Sequence, residues 1–420
     1  MGRARAGTRG CAPPGPVLAS ARVRFASEQN QHVPPARPGE FGPLSLGRLS
    51  VWPPVVLAPM AGVTNYPFRR LCREFGAGLY VSEMITARGF LMGNRITHQL
   101  AASRPDERPR SVQIYGSEPT DVEEMARALA AQGVDHLDMN FGCPVPKVTR
   151  QGGGSAIPVK PRLMARLVRA AVRGAGRVPV TVKVRKGIDD SLLTHLDSGR
   201  VAQEEGAAAI GLHARTAAQL YAGRADWDAI AELKAAVRIP VLGNGDLWES
   251  WDALRMMRQT GCDGVIVGRG CLGRPWLFRE LATVFAGAEP DPPPRLGEVV
   301  ALALHHAELL CEFFGEPHGI TQMRKWSCWY TAGFPGSADV RRGLAGIHTA
   351  DDLARVLGRL DPLLPFPRPA LRLARGKDGR AQKGVQLPSG FLDDRDDDTP
   401  PVPPLSPAQL AAFERALDAG

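Results

Sequence analysis

Seven cysteines in 420 residues include no C-x-x-C pair, and their number is odd. That pattern argues against a disulfide framework and against zinc or iron–sulfur ligation. No metal is expected, and a reducing cytoplasm is the natural compartment. No apolar run approaches the roughly 18–20 residues of a membrane span, and mean hydropathy is −0.15. No acid precedes Glu28, whereas Arg3, Arg5, Arg9, Arg22 and Arg24 do. This looks like a transit peptide, but Pro13, Pro14, Pro16, Pro34, Pro35 and Pro38 oppose an amphipathic helix. The expectation is a disordered basic arm over 1–50, or an over-extended start.

Against these absences, 44% apolar and 23% charged residues are ordinary for a globular chain and exclude a collagen or a coiled-coil rod. The length accommodates two or three domains. Lys+Arg 52 against Asp+Glu 43 gives a net charge of +9. Such a surplus favours a polyanionic partner, although an Arg-, Ala- and Gly-rich composition can produce it alone.

From residue 51 short apolar runs recur, each followed by a glycine-containing turn and a helical pattern. Strands are predicted near Val55–Ala58, Leu79–Ser82, Ser111–Ile114, His136–Asn140, Val180–Val184, Ala209–His213, Pro240–Gly243 and Gly264–Val267. Helical stretches such as Asp121–Gln132, Arg162–Arg173 and Trp248–Thr260 lie between them. Strands alternating with helices imply a parallel sheet, and eight units match a (β/α)8 TIM barrel over 51–290. A doubly wound open sheet is the second choice. After Pro292–Pro294 strand signals stop, and residues 295–362 read as a small all-α helical domain broken at Gly315–Pro317 and Phe334–Gly336. The stretch 363–420, with Pro, Gly and an acidic run from Asp393 to Asp398, reads as a mostly disordered tail, with one short final helix starting at Ser406–Pro407.

Barrel active sites form at the carboxyl ends of the strands, and unusual residues gather there. They include Pro59-Met60-Ala61-Gly62, Gln113, Asn140-Phe141-Gly142-Cys143-Pro144, Lys183-Val184-Arg185, His213, Asn244-Gly245-Asp246 and Gly268-Arg269-Gly270. The last two turns suit a phosphate, which backbone N–H groups after strands seven and eight bind recurrently. Gly268-x-Gly270-x-x-Gly273 formally matches a dinucleotide fingerprint, but Glu280 falls too early for the acid that fingerprint wants about 20 residues on, and the loop follows the eighth strand, so it reads as a mononucleotide loop. Lys183 ends an apolar strand, where it could stabilise charge on an electron-accepting ring or simply pair with a carboxylate. Cys143, between Gly142 and Pro144 just past a strand, is placed to act as a general acid, although a lone cysteine is more often a small buried hydrophobe. Arg324, Lys325, Arg341 and Arg342 make the helical region basic. Trp326, Trp329 and Tyr330 share one helix face, which favours core packing over base stacking.

With Ala58-Pro59-Met60-Ala61-Gly62-Val63-Thr64-Asn65, Gln113-Ile114-Tyr115-Gly116, Thr181-Val182-Lys183-Val184-Arg185 and His213-Ala214-Arg215-Thr216, these strings fall in order over roughly residues 50–360. There the sequence resembles the tRNA-dihydrouridine synthase family, particularly its bacterial B-type branch; Ala214 departs from the glycine of many relatives. The resemblance implies FMN lined by Pro59, Met60 and Ala61, with Gln113 and Lys183 on its ring. His213 would contact the flavin or the uridine, while Asn244, Gly245, Asp246, Gly268 and Arg269 would hold the ribityl phosphate. It implies NADPH or NADH as reductant, hydride transfer to C6 of a uracil and protonation of C5 by Cys143. The uridine would be flipped from the D-arm of tRNA. Asn140, Arg185, Arg324, Lys325, Arg341 and Arg342 would contact the RNA substrate, with the protein acting as a monomer. An FMN barrel oxidoreductase of a small molecule, similar to dihydroorotate dehydrogenase, is the alternative.

Overall fold

The computed structural model describes residues 24–401, except 77, 103, 377–380 and 382–383. Eight parallel strands close into a barrel, each bonded to the next in chain order and the last to the first. They are β1 (Val55–Leu57), β2 (Leu79–Thr86), β3 (Ser111–Tyr115), β4 (His136–Phe141), β5 (Val180–Arg185), β6 (Ala209–His213), β7 (Val241–Asn244) and β8 (Gly264–Val267). All eight coincide with predicted strands, and closure of β8 onto β1, pairing Ile266 with Val56, decides for the barrel over the open sheet. Strands buried on both faces must be apolar almost throughout, which is why they were legible.

The outer helices form where apolar residues recur at helical spacing. Pro119–Ala131 starts on proline, is capped by Glu118 and buries Val122, Met125, Ala126 and Leu129. Pro161–Ala175 packs beside it. A Cβ on Gly174 would lie 3.0 Å from that of Ala126, so glycine permits the close approach. Helices Leu296–Phe314, Glu316–Tyr330, Ser337–Gly343 and Ala350–Leu357 follow the barrel, the first two parted at Gly315 with φ +84°. Trp326 and Tyr330 are fully buried, with Phe68 and Trp326 rings 4.5 Å apart, so this face is core. No helix among the described residues is long and apolar enough to cross a membrane.

The expected disorder at the two ends requires correction wherever residues are described. A hairpin pairing Leu44–Leu46 with Leu49–Val51 plugs the amino end of the barrel. There Leu44, Leu46 and Val51 join Val56, Leu79, Val81, Leu242 and Ile266 in the inner core. Asn30 is buried and donates to Glu249 at 2.9 Å and Asp252 at 3.0 Å. At the other end, Arg274 donates to the Leu371 carbonyl at 2.9 Å, Arg372 pairs with Glu249 at 2.8 Å, and Phe391 is buried. A few apolar anchors with cross-chain ion pairs order segments whose average composition argues for disorder. Residues 1–23, and the expected final helix at Ser406–Pro407, lie outside the described residues.

One buried ion pair fixes the first turn of the barrel to the loop before β3. Arg69 grips Glu107 with two bonds of 2.5 and 2.9 Å, donates to the Thr64 carbonyl at 2.7 Å, and both side chains are 4% exposed. Removing one partner of such a pair strands the other charge. Arg69→Met should therefore cost about 3–5 kcal/mol, read as a lowered chemical-denaturation midpoint; an unchanged midpoint would refute it.

Candidate active site

The strand register assembles the mouth. Gln113 lies beside Asp138, Asn140 beside Lys183, Lys183 beside Gly211 and Arg185 beside His213, and His213 beside Asn244. Period-two alternation points Thr181, Lys183 and Arg185 to the same side of β5. Gly211 packs between Ile266 and Lys183: a Cβ there would lie 2.6 Å from Ile266 Cδ1 and in ordinary contact, 3.6 Å, with Lys183 Cδ.

At the centre the bonds form a chain. Gln113 Nε2 donates to Asp138 Oδ2 at 2.7 Å, and Asn140 Nδ2 donates to Gln113 Oε1 at 2.9 Å. Asn140 Oδ1 accepts from the backbone N–H of Gly142 at 3.0 Å and of Cys143 at 2.9 Å. The strand-borne asparagine thus sets the turn that carries the thiol. Arg185 seals the same turn from below, donating to the carbonyls of Gly142 at 3.0 Å and of Thr216 and Leu220 at 2.9 Å each. Deeper still, Asp138 accepts from Thr181 at 2.5 Å, which bonds His136 at 3.0 Å, itself bonded to Ser111 at 2.7 Å.

Charge is concentrated here. Lys183 donates to Asn244 Oδ1 at 2.9 Å, and Asn244 donates on to the Ile266 carbonyl at 2.7 Å. Burial pushes the Lys183 ammonium down to about 7, and nearby Arg185 adds to this. Burial raises the Asp138 carboxyl and takes the Arg185 guanidinium down to about 10. His213 is held well below its ordinary value by burial and by Arg185, Lys183, Arg215 and Arg269. So many enclosed cations seek an anion.

The turns after β7 and β8 offer it a seat. Gly245 has φ +132° and Asp246 φ +56°, consecutive positive-φ residues just past the end of β7. Asp246 is held through its side chain. Its carboxylate accepts two bonds from Arg215 at 2.8 and 2.9 Å and one from the Ala225 N–H at 2.7 Å. The carboxylate therefore braces the turn. Arg215 Nη1 is buried without a hydrogen-bond partner, 3.8 Å from where a Cβ on Gly245 would sit. Arg269 lies over the Tyr221 ring at 4.2 Å. A Cβ on Gly268 would meet nothing nearer than 3.8 Å. An orphaned buried donor, an arginine and open glycine backbone fit a phosphate. Gly273, the third glycine of the apparent fingerprint, packs on the backbone of Trp329 and Tyr330, so it serves the joint with the helices.

Pro59 and Met60 are half-buried and Ala61 exposed at the rim. Lys325 reaches from the helices to the Gly62 carbonyl. Arg324 turns inward to the Ile347 carbonyl at 3.0 Å, while exposed Arg342 pairs with Asp339 and Arg341 is exposed. Of these four, Lys325 alone bonds the barrel mouth among the described contacts. No site role was read in the sequence for Asp138, Thr181, His136 or Arg215, although Thr181 and Arg215 stand in the matching strings. Alternation in His136-Leu137-Asp138-Met139-Asn140 was the available signal.

The family model for dihydrouridine synthase matches residues 56–360. A probable tRNA-dihydrouridine synthase of Mycobacterium tuberculosis is 52% identical over 365 residues, spanning 84% of this chain and 93% of the relative. The Mycobacterium leprae counterpart is 50% identical over 377 residues, spanning 83% and 98%. A tRNA-dihydrouridine synthase B of Xanthomonas axonopodis pv. citri is 42% identical over 331 residues, spanning 78% and 99%.

Proposed function

The chain belongs to the dihydrouridine synthase family, and on that footing we propose that it reduces uridines in the D-loop of tRNA to 5,6-dihydrouridine at the barrel mouth. The observation that carries the reading is Cys143, fixed by Asn140 at 2.9 Å on the edge of a mouth lined by Lys183, Arg185, Arg215 and Arg269. Such cations suit the ring and phosphate of FMN, which would bring hydride, taken from NAD(P)H, to C6 of the uracil.

The residues of the chain supply the rest. Lys183 and Asn244 would hold the flavin ring, and Gln113, kept in one amide orientation by Asp138 and Asn140, would hydrogen-bond it beside them. Arg215, Arg269 and the backbone of 244–246 and 268 would seat its phosphate. Cys143 gives its Sγ proton to C5, and Arg185 holds the loop that aims it. A stacked uridine cannot reach this depth, so it is flipped into the mouth. Lys325, with the surface arginines of the helices, meets the phosphate backbone of the D-arm.

Purified protein given FMN, NADPH and tRNA from a strain lacking dihydrouridine should produce dihydrouridine, identified by mass after nuclease digestion. Absence of product with tRNA, together with turnover of a small unsaturated carbonyl compound, would replace this reading by a small-molecule oxidoreductase.

A further inference from the structure

The loop bearing Cys143 is anchored twice. One anchor, Asn140, belongs to β4. The other is the loop's own return, where the Ser155 N–H donates to the Cys143 carbonyl at 2.9 Å and a Cβ on Gly154 would lie 3.1 Å from that of Cys143. No barrel strand passes through this return; the 3-10 turn Gly154–Val159 forms it, with every residue buried. What covers that turn is the far end of the chain. Phe391 is 4% exposed and packs with Ala156, Val159 and Ile188, bordered by Leu192, Val385 and Leu387. Its ring would lie 3.0 Å from a Cβ on Gly152.

Polar contacts fasten the segment around this ring. Lys160 pairs with Asp397 at 2.5 Å and lies 4.8 Å from the Phe391 centroid. Arg395 donates to the Val159 carbonyl at 3.1 Å, and Arg166 bonds the Asp398 carbonyl at 2.8 Å. Arg150 bonds Gln386, and Arg162 faces Asp396 at 3.5 Å. The acidic run answers the cations at the start of helix Pro161–Ala175, directly after the loop.

The geometry points to residues 384–401 as a strap that positions Cys143 for proton transfer, with Phe391 its central positioning residue. This rests on the role proposed above for Cys143. Proton transfer demands hydrogen-bond reach, and a displacement of about 1 Å can cost about a hundredfold in rate. The groups that would hold the ring of the flavin sit on β3, β5 and β7 and do not depend on the strap.

Phe391→Ala in the full-length, FMN-loaded protein should leave flavin reduction by NADPH unchanged. It should slow tRNA-dependent reoxidation about tenfold or more, with KM for tRNA within about twofold. Iodoacetamide should alkylate Cys143, followed by peptide mass, several times faster. Phe391→Leu, which keeps apolar volume, should restore both. Asp397→Lys, at the exposed end, loosens the strap without opening a core and should move both readouts the same way. It decides the matter if Phe391→Ala fails to fold. Wild-type alkylation and reoxidation in these variants would overturn the proposal. The Cys143 reading fails separately: if Cys143→Ala turns over normally, the alkylation rates still report whether the strap holds the loop.

Discussion

Cys143→Ala will keep flavin and tRNA binding and lose uridine reduction by about 10²–10⁴-fold, the usual contribution of a positioned general acid. The turn does not need the sulfur: Asn140 grips backbone N–H groups, and Arg185 grips the Gly142 carbonyl. Alanine keeps the Cβ in place, so the loss isolates the proton. Among the described residues no other thiol is placed to substitute. Cys271 and Cys262 donate to the carbonyls of Gly268 at 3.1 Å and Gly264 at 3.3 Å, and burial pushes the thiols of Cys72 and Cys262 up. Cys311 and Cys328 lie on the helices after the barrel. Cys143→Ser, with a far weaker acid at the same point, should fall between wild type and alanine. Single-turnover oxidation of the reduced protein by tRNA is the measurement. An alanine variant as fast as wild type would show that the proton comes from elsewhere.

The barrel was legible because its strands are buried on both faces and broken by glycine turns, a signal that needs no partner to be read. So was the clustering of polar residues at strand ends. What stayed hidden depends on partners far away in the chain. Asp246 was legible as a residue of the turn, but not the grip that Arg215, 31 positions earlier, has on its carboxylate. Residues 44–51 read as part of a disordered arm because their apolar side chains find a seat only once the barrel has closed. Phe391 sits in an acidic, proline-rich stretch, yet its seat at Ala156 and Val159 lies more than 230 positions away. Asp138 was the nearest miss. It alternates with Leu137 and Met139 on β4 and points inward with Asn140, so strand periodicity alone placed a carboxylate beneath Lys183.

That placement makes Lys183 the second residue whose loss should be severe. It shares the mouth with Arg185, bonds Asn244 at 2.9 Å and titrates near 7 because burial disfavours its cation. A lysine is charged below its pKa, so in flavin-free protein the ammonium is present at pH 6 and largely gone at pH 9. A ligand that needs that cation binds less well as pH rises, by at most about tenfold per pH unit above 7, since one proton is linked to binding. FMN affinity, followed by fluorescence quenching, should therefore weaken from pH 6 to pH 9 and flatten below about pH 6. Lys183→Met removes the charged hydrogen bond, worth about 1.5–3 kcal/mol, and should raise the FMN dissociation constant about ten- to a hundredfold at pH 6. It should also abolish that part of the pH dependence. Since the proposed reaction would put developing negative charge beside this cation, turnover at saturating FMN should drop about 10²–10³-fold. A methionine variant with wild-type affinity and an unchanged pH slope would mean that Lys183 only pairs with Asp138 and Asn244 inside the barrel and leaves the ring alone.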